Sequence, residues 1–161
     1  MTETAALTRF EVIFDVEARN TAKFRNEITV HLRGQHPATV ELPTDEGPDT
    51  AATGRRPIRF ASALTACVMT QLRAFSRRLD IPLTTIAIDT RLHWEAQQRG
   101  NAPYESAPVA FTMDIDLGGG AATADKQRLI HAAAKGCFVE QSLKPGIVKH
   151  RLKVGEDWIT V

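Results

Sequence analysis

The stretch Pro57-Ile58-Arg59-Phe60-Ala61-Ser62-Ala63-Leu64-Thr65-Ala66-Cys67-Val68-Met69-Thr70-Gln71-Leu72-Arg73-Ala74-Phe75-Ser76-Arg77-Arg78-Leu79-Asp80-Ile81 decides how the chain is read. Within it Ala61, Leu64, Val68, Leu72, Phe75 and Leu79 recur at steps of 3, 4, 4, 3 and 4, one helical stripe. Pro57 suits a first helical turn, where its missing N–H would be unpaired anyway. Between Phe60 and Met69 nearly every side is apolar or small, whereas Gln71, Arg73, Ser76, Arg77 and Arg78 wet the second half. The pattern predicts a helix over 57–81, closed by Pro82, whose first half is buried on all sides and whose second half emerges.

Upstream of this helix the period changes to two. Phe10, Val12, Phe14 and Val16 alternate with polar neighbours, as do Ile28, Val30 and Leu32, and Ala38, Val40 and Leu42 suggest a third strand. The polar stretch Ala18–Lys23 reads as the first connection, and short connections favour an antiparallel meander. Residues 43–57, rich in Thr, Asp, Gly and Pro, read as a long loop.

Downstream, Ile86, Ile88, Thr90, Leu92 and Trp94 share one strand face. After a turn at 100–103, Val109, Phe111, Met113, Ile115 and Leu117 share another. Gly118-Gly119-Gly120 leads to a second helix with Thr123 as its expected N-cap and Asp125 in its first turn. Gly136 interrupts that helix, and Cys137–Leu143 reads as a short further turn. Val148, His150, Leu152 and Val154 form a last strand. The order is α+β rather than a repeating βαβ wind.

The chain has 161 residues, one domain's worth, and we read 1–161 as a single domain. Hydrophobic residues make up 43% and charged residues 24%, which excludes disordered and collagen-like classes. Lys+Arg 20 against Asp+Glu 19 leaves a net charge of +1, so no basic excess marks a nucleic-acid or membrane-surface partner. The amino terminus lacks the basic-then-apolar pattern of a secretory signal, and the expected location is a reducing cytoplasm.

The two cysteines, Cys67 and Cys137, form no CxxC and no Cys/His pair of metal-ligand spacing. At helical spacing Cys67 neighbours Phe60, Ala63, Gln71 and Ala74, which leave room beside the sulfur for a small apolar molecule; inert packing suits a helical Cys equally. Cys137, placed after Gly136 where a new turn begins, would have its thiol pKa lowered by amide groups there. Spacing leaves open whether the two sulfurs meet.

Ala61-Ser62-Ala63-Leu64-Thr65-Ala66-Cys67, running into Arg77-Arg78-Leu79-Asp80-Ile81-Pro82-Leu83, and later Ala133-Ala134-Lys135-Gly136-Cys137-Phe138-Val139-Glu140-Gln141-Ser142-Leu143, together resemble the OsmC/Ohr family of thiol peroxidases. The resemblance spans essentially the whole chain. It implies antiparallel sheets packed around a long buried helix in an intertwined homodimer with interface active sites. It also implies that Cys67 attacks an organic hydroperoxide to give a sulfenic acid and that Cys137 condenses with it to a disulfide. No metal, haem or flavin is implied; an external dithiol reductant closes the cycle.

By the same resemblance Arg19, in the first strand-to-strand connection, assists the thiolate. The carboxylate partner of that Arg departs from the family pattern: ten residues before Cys67 stands Pro57, not Glu, and Asp45, Glu46 or Asp49 are the acidic residues nearby. Arg55, Arg56 and Arg59 make this region basic, and eight residues of helix put Arg59 about 12 Å from Cys67 along the axis. These arginines are either a solvated face or a grip on an acidic substrate. The alternative to a peroxidase is accordingly the same fold binding a small apolar or acidic ligand in a dimer-interface pocket. His31, His36, His93, His131 and His150 make no ligand pair and read as surface or core residues. Gly118–Gly120 lacks a phosphate-loop pattern and reads as a turn, and Trp94 and Trp158 read as packing residues.

Overall fold

The computed structural model of the chain describes residues 14–22, 25–32, 38–43, 55–97, 103 and 105–161. It divides into two compact units, Met1–Arg55 and Arg56–Val161. In the first, β1 (Phe14–Ala22), β2 (Arg25–Leu32) and β3 (Ala38–Pro43) form a three-stranded antiparallel sheet in the order β1-β2-β3. The β1–β2 register runs from Phe14 opposite Leu32 to Ala22 opposite Arg25. The meander is as expected, but Ala18–Ala22 is strand rather than connection. A polar residue on one face of an antiparallel pair keeps its ladder hydrogen bonds, so polarity alone does not end a strand. The expected strand start at Phe10 and most of the loop over 43–57, with Asp45, Glu46 and Asp49, lie outside the described residues.

The second unit is built on α1 (Arg55–Arg78) and a four-stranded sheet in the order β4-β5-β6-β7. Its strands are β4 (Ile86–Gln97), β5 (Glu105–Leu117), β6 (Val148–Val154) and β7 (Asp157–Thr160). Between β5 and β6 run α2 (Thr123–Gly136) and the four-residue α3 (Phe138–Gln141). Because that connection carries a helix, β5 and β6 pair in parallel, Phe111 opposite Val148 through Ile115 opposite Leu152. This corrects the expectation of antiparallel sheets: the second is mixed. The strand β7, absent from the sequence reading, turns back from β6 through Gly155-Glu156, and Gly155 supplies the positive φ of 62° that a two-residue hairpin needs.

The core collects one face of each element. Phe111, Met113, Ile115 and Leu117 alternate inward along β5 and meet Leu64, Val68 and Leu72 of α1, each fully buried, with Leu129, Ile130 and Ala133 of α2 and Leu152 of β6. Phe60 joins Trp94 and Phe111 in an aromatic cluster with ring centroids 4.8 to 6.1 Å apart. Thr65 Oγ1 meets Thr90 Oγ1 at 2.8 Å and ties α1 to β4.

Within the single chain one face of α1 is covered: Leu64 and Val68 are buried, whereas Ser62, Ala63 and Ala66 are exposed. One further expectation changes. The N-cap of α2 is Ala122, with Thr123 already helical and no side chain capping the turn; Lys126 N–H closes that turn on Ala122 O at 3.0 Å. The glycines before α2 form a plain turn, with the Gly118 amide donating to Thr85 O at 3.0 Å.

Candidate active site

The break between α2 and α3 places Cys137. The last helical residue, Gly136, abuts α1 so closely that a Cβ there would lie 2.6 Å from Phe75 Cε2 and 3.5 Å from Gln71 Oε1. Phe75 and Gln71 are the residues two turns and one turn beyond Cys67 on α1. A side chain at 136 would hold the elements apart, so glycine lets the next residue reach α1. Cys137 is fully buried, and its thiol is hydrogen-bonded to the thiol of Cys67, which is half-buried. Both are free thiols. Residues separated by 70 positions are thus brought together within one chain.

Around Cys137 the backbone is fully engaged. Its N–H donates to Ala134 O at 3.3 Å, its carbonyl accepts Gln141 N–H at 2.9 Å, and its Sγ accepts the Glu140 N–H at 3.4 Å. That last contact is the amide support anticipated from the sequence, and it does lower the thiol pKa. The net shift is the reverse of expectation. Burial, and then the hydrogen bond to Cys67, push the Cys137 thiol up from 9.0 to about 12. Cys137 therefore keeps its proton near neutrality and directs it to Cys67 Sγ, while Cys67 is the less buried of the two residues.

Arg19 lies within β1, opposite Glu27, and not in a strand connection; it belongs to the first unit, the cysteines to the second. Pro57 is in the first turn of α1, as expected. Glu140 and His150, which the sequence reading did not single out as a pair, meet at 3.2 Å between Oε2 and Nε2, and Glu140 is the residue whose amide meets Cys137 Sγ. The signal was a histidine in the apolar series Val148, His150, Leu152, since a buried imidazole requires a partner. A cleft of about 470 Å³ opens near the carboxyl end of α1 among Arg73, Arg77, Asp80 and Thr84, and neither thiol lines it. Among the described residues no three His, Cys, Asp or Glu gather as a metal site, and no helix is long and apolar enough to cross a membrane.

Two adjacent thiols, one fully buried and protonated and one half-buried, can exchange two electrons with a small oxidant and a thiol reductant. Comparison with known proteins bears on which. The family described as OsmC-like protein matches residues 59–151, more than half of the chain. An OsmC-like hydroperoxide resistance protein from Jannaschia sp. CCS1 is 37% identical, with 93% of this chain and 98% of that chain covered and a TM-score of 0.53. The organic hydroperoxide resistance protein OsmC of Legionella pneumophila is 13% identical, over 91% of this chain and 97% of that one, at a TM-score of 0.53. An OsmC-like protein from Mycoplasma pneumoniae is 11% identical, over 91% and 97%, at 0.55. These last two share the fold. None of the curated proteins compared matches the chain.

Proposed function

The chain belongs to the OsmC-like family, and from that premise we propose that it is a two-cysteine thiol peroxidase for organic hydroperoxides. The observation that carries the reading is the hydrogen bond between half-buried Cys67 and fully buried Cys137. The name of the 37% identical Jannaschia protein, a hydroperoxide resistance protein, supports the substrate class.

In this reading Cys67, as thiolate, attacks the terminal oxygen of the hydroperoxide. An S–O bond forms, the O–O bond breaks, and its electron pair leaves on the alkoxide, which takes up a proton and departs as the alcohol. Cys67 is then a sulfenic acid. The Cys137 sulfur attacks the Cys67 sulfur; the displaced hydroxyl takes the Cys137 proton and leaves as water, and the S–S bond stops further oxidation. An external dithiol returns two electrons and two protons and becomes a disulfide itself, with no resident metal or organic cofactor. We assign the cation that assists the thiolate to Arg19, by resemblance to the family. We also propose that the protein works as a homodimer in the cytoplasm. The open small-residue face of α1 at Ser62, Ala63 and Ala66 supports a second copy there.

The test is the intact mass of the reduced protein after one equivalent of tert-butyl hydroperoxide. The wild type is expected to lose two hydrogens rapidly, Cys137→Ser to retain an added oxygen, and Cys67→Ser to remain unchanged. Two unreacted wild-type thiols would replace this reading with the ligand-binding one.

A further inference from the structure

Three residues after Cys137, Glu140 joins His150 in a buried polar pair that the two-thiol chemistry does not use. His150 points from β6 into the core, with Met113 as its register partner on β5. Its Nε2 and Glu140 Oε2 are 3.2 Å apart, and the two side chains are only 9% and 12% exposed. Taking such a pair out of water is costly, and apolar side chains of similar volume commonly do as well or better for stability. The pair therefore calls for an account other than packing.

Its connections supply one. The Glu140 whose carboxylate meets His150 also donates its backbone N–H to Cys137 Sγ at 3.4 Å. Helix α3 is a single turn, too short to be rigid alone. Its other side-chain hydrogen bonds, Gln141 Nε2 to Ala134 O and Ser142 Oγ to Phe138 O, stay within 134–142. Among the described residues, the Glu140–His150 contact is the hydrogen bond that fastens this turn to the sheet.

We propose that Glu140 and His150 are positioning residues for the second thiol: by anchoring α3 to β6 they hold the Glu140 amide on Cys137 Sγ and keep Cys137 facing Cys67. The amide meets the sulfur where negative charge develops, both as the Cys137 proton leaves during ring closure and as Cys137 departs when the disulfide is reduced. The role rests on the two-cysteine reading above, but it concerns closure of the thiol pair by any two-electron oxidant.

The experiment compares wild type, His150→Leu and His150→Gln, which keeps an N–H at the position of Nε2. With tert-butyl hydroperoxide and quenched mass spectrometry, all three are expected to lose the hydroperoxide at the same rate. The Cys67 sulfenic acid in His150→Leu should persist about tenfold longer or more, as misplacement of a reacting group implies, and His150→Gln should recover most of the closure rate. Equal closure rates in His150→Leu and wild type would overturn the proposal, as would His150→Gln closing no faster than His150→Leu. A parallel series with diamide, which converts a thiol pair to a disulfide and is reduced to the hydrazine, separates the two readings. The same ranking with diamide but no reaction of the wild type with hydroperoxide would remove the peroxidase and leave the positioning role standing. No ranking with diamide would remove the positioning role alone.

Discussion

At Cys137 two effects on one sulfur oppose each other, and their magnitudes decide the chemistry. The Glu140 amide favours the thiolate, while complete burial and the proton shared with Cys67 favour the thiol, and the result is a group raised to about 12. The stability consequence has a definite sign. Below about 9 the thiol is protonated in both folded and unfolded chains and contributes no slope. Between about 9 and about 12 the unfolded chain loses this proton and the folded chain keeps it, so folding stability falls as pH rises across that window. Thermal melts of reduced wild type and Cys137→Ala from pH 8 to 11 should therefore converge, the wild type losing stability faster above pH 9. Parallel curves would show that the sulfur is not held protonated.

At the scale of elements, the contact between α1 and the end of α2 is where packing creates the site. Gly136 is needed there for space: its negative φ is open to any residue, yet an added Cβ would strike the Phe75 ring at 2.6 to 2.7 Å. Gly136→Ala is expected to destabilise the protein by about 1–3 kcal/mol, the usual range for overpacking, although alanine favours helix. It should also slow closure of the Cys67–Cys137 bridge, since the strain is relieved by moving α2 and Cys137 away from α1. A denaturant midpoint at or above that of the wild type would refute the close approach. Within β5 and β6 the same logic is quieter: Met113 and Leu152 are fully buried in the core, and Met113→Ala should cost about 2–5 kcal/mol, read from the same unfolding curves.

For the whole molecule, the exposed Ser62, Ala63 and Ala66 on a helix whose other face carries the core bear on the proposed homodimer. Light scattering should give twice the chain mass, and Ala66→Glu, which adds a charge to that face without touching Leu64 or Val68, should shift the protein toward the single chain. An unchanged dimer would place the contact elsewhere. The sequence by itself determined the class and the elements other than β7 and the end of β1, because periods of 3.6 and 2 record which faces of α1, β5 and β6 must leave water, and because Gly136 and Pro82 are local stops. It also marked the two cysteines as the candidates for the proposed chemistry. Only the tertiary structure decided that β5 and β6 run parallel, that Cys67 and Cys137 touch, that burial outweighs the amide at Cys137, and that His150 is matched by Glu140. Each of these depends on residues ten or more positions apart, or on how much water remains at a group, and neither quantity is written in local spacing.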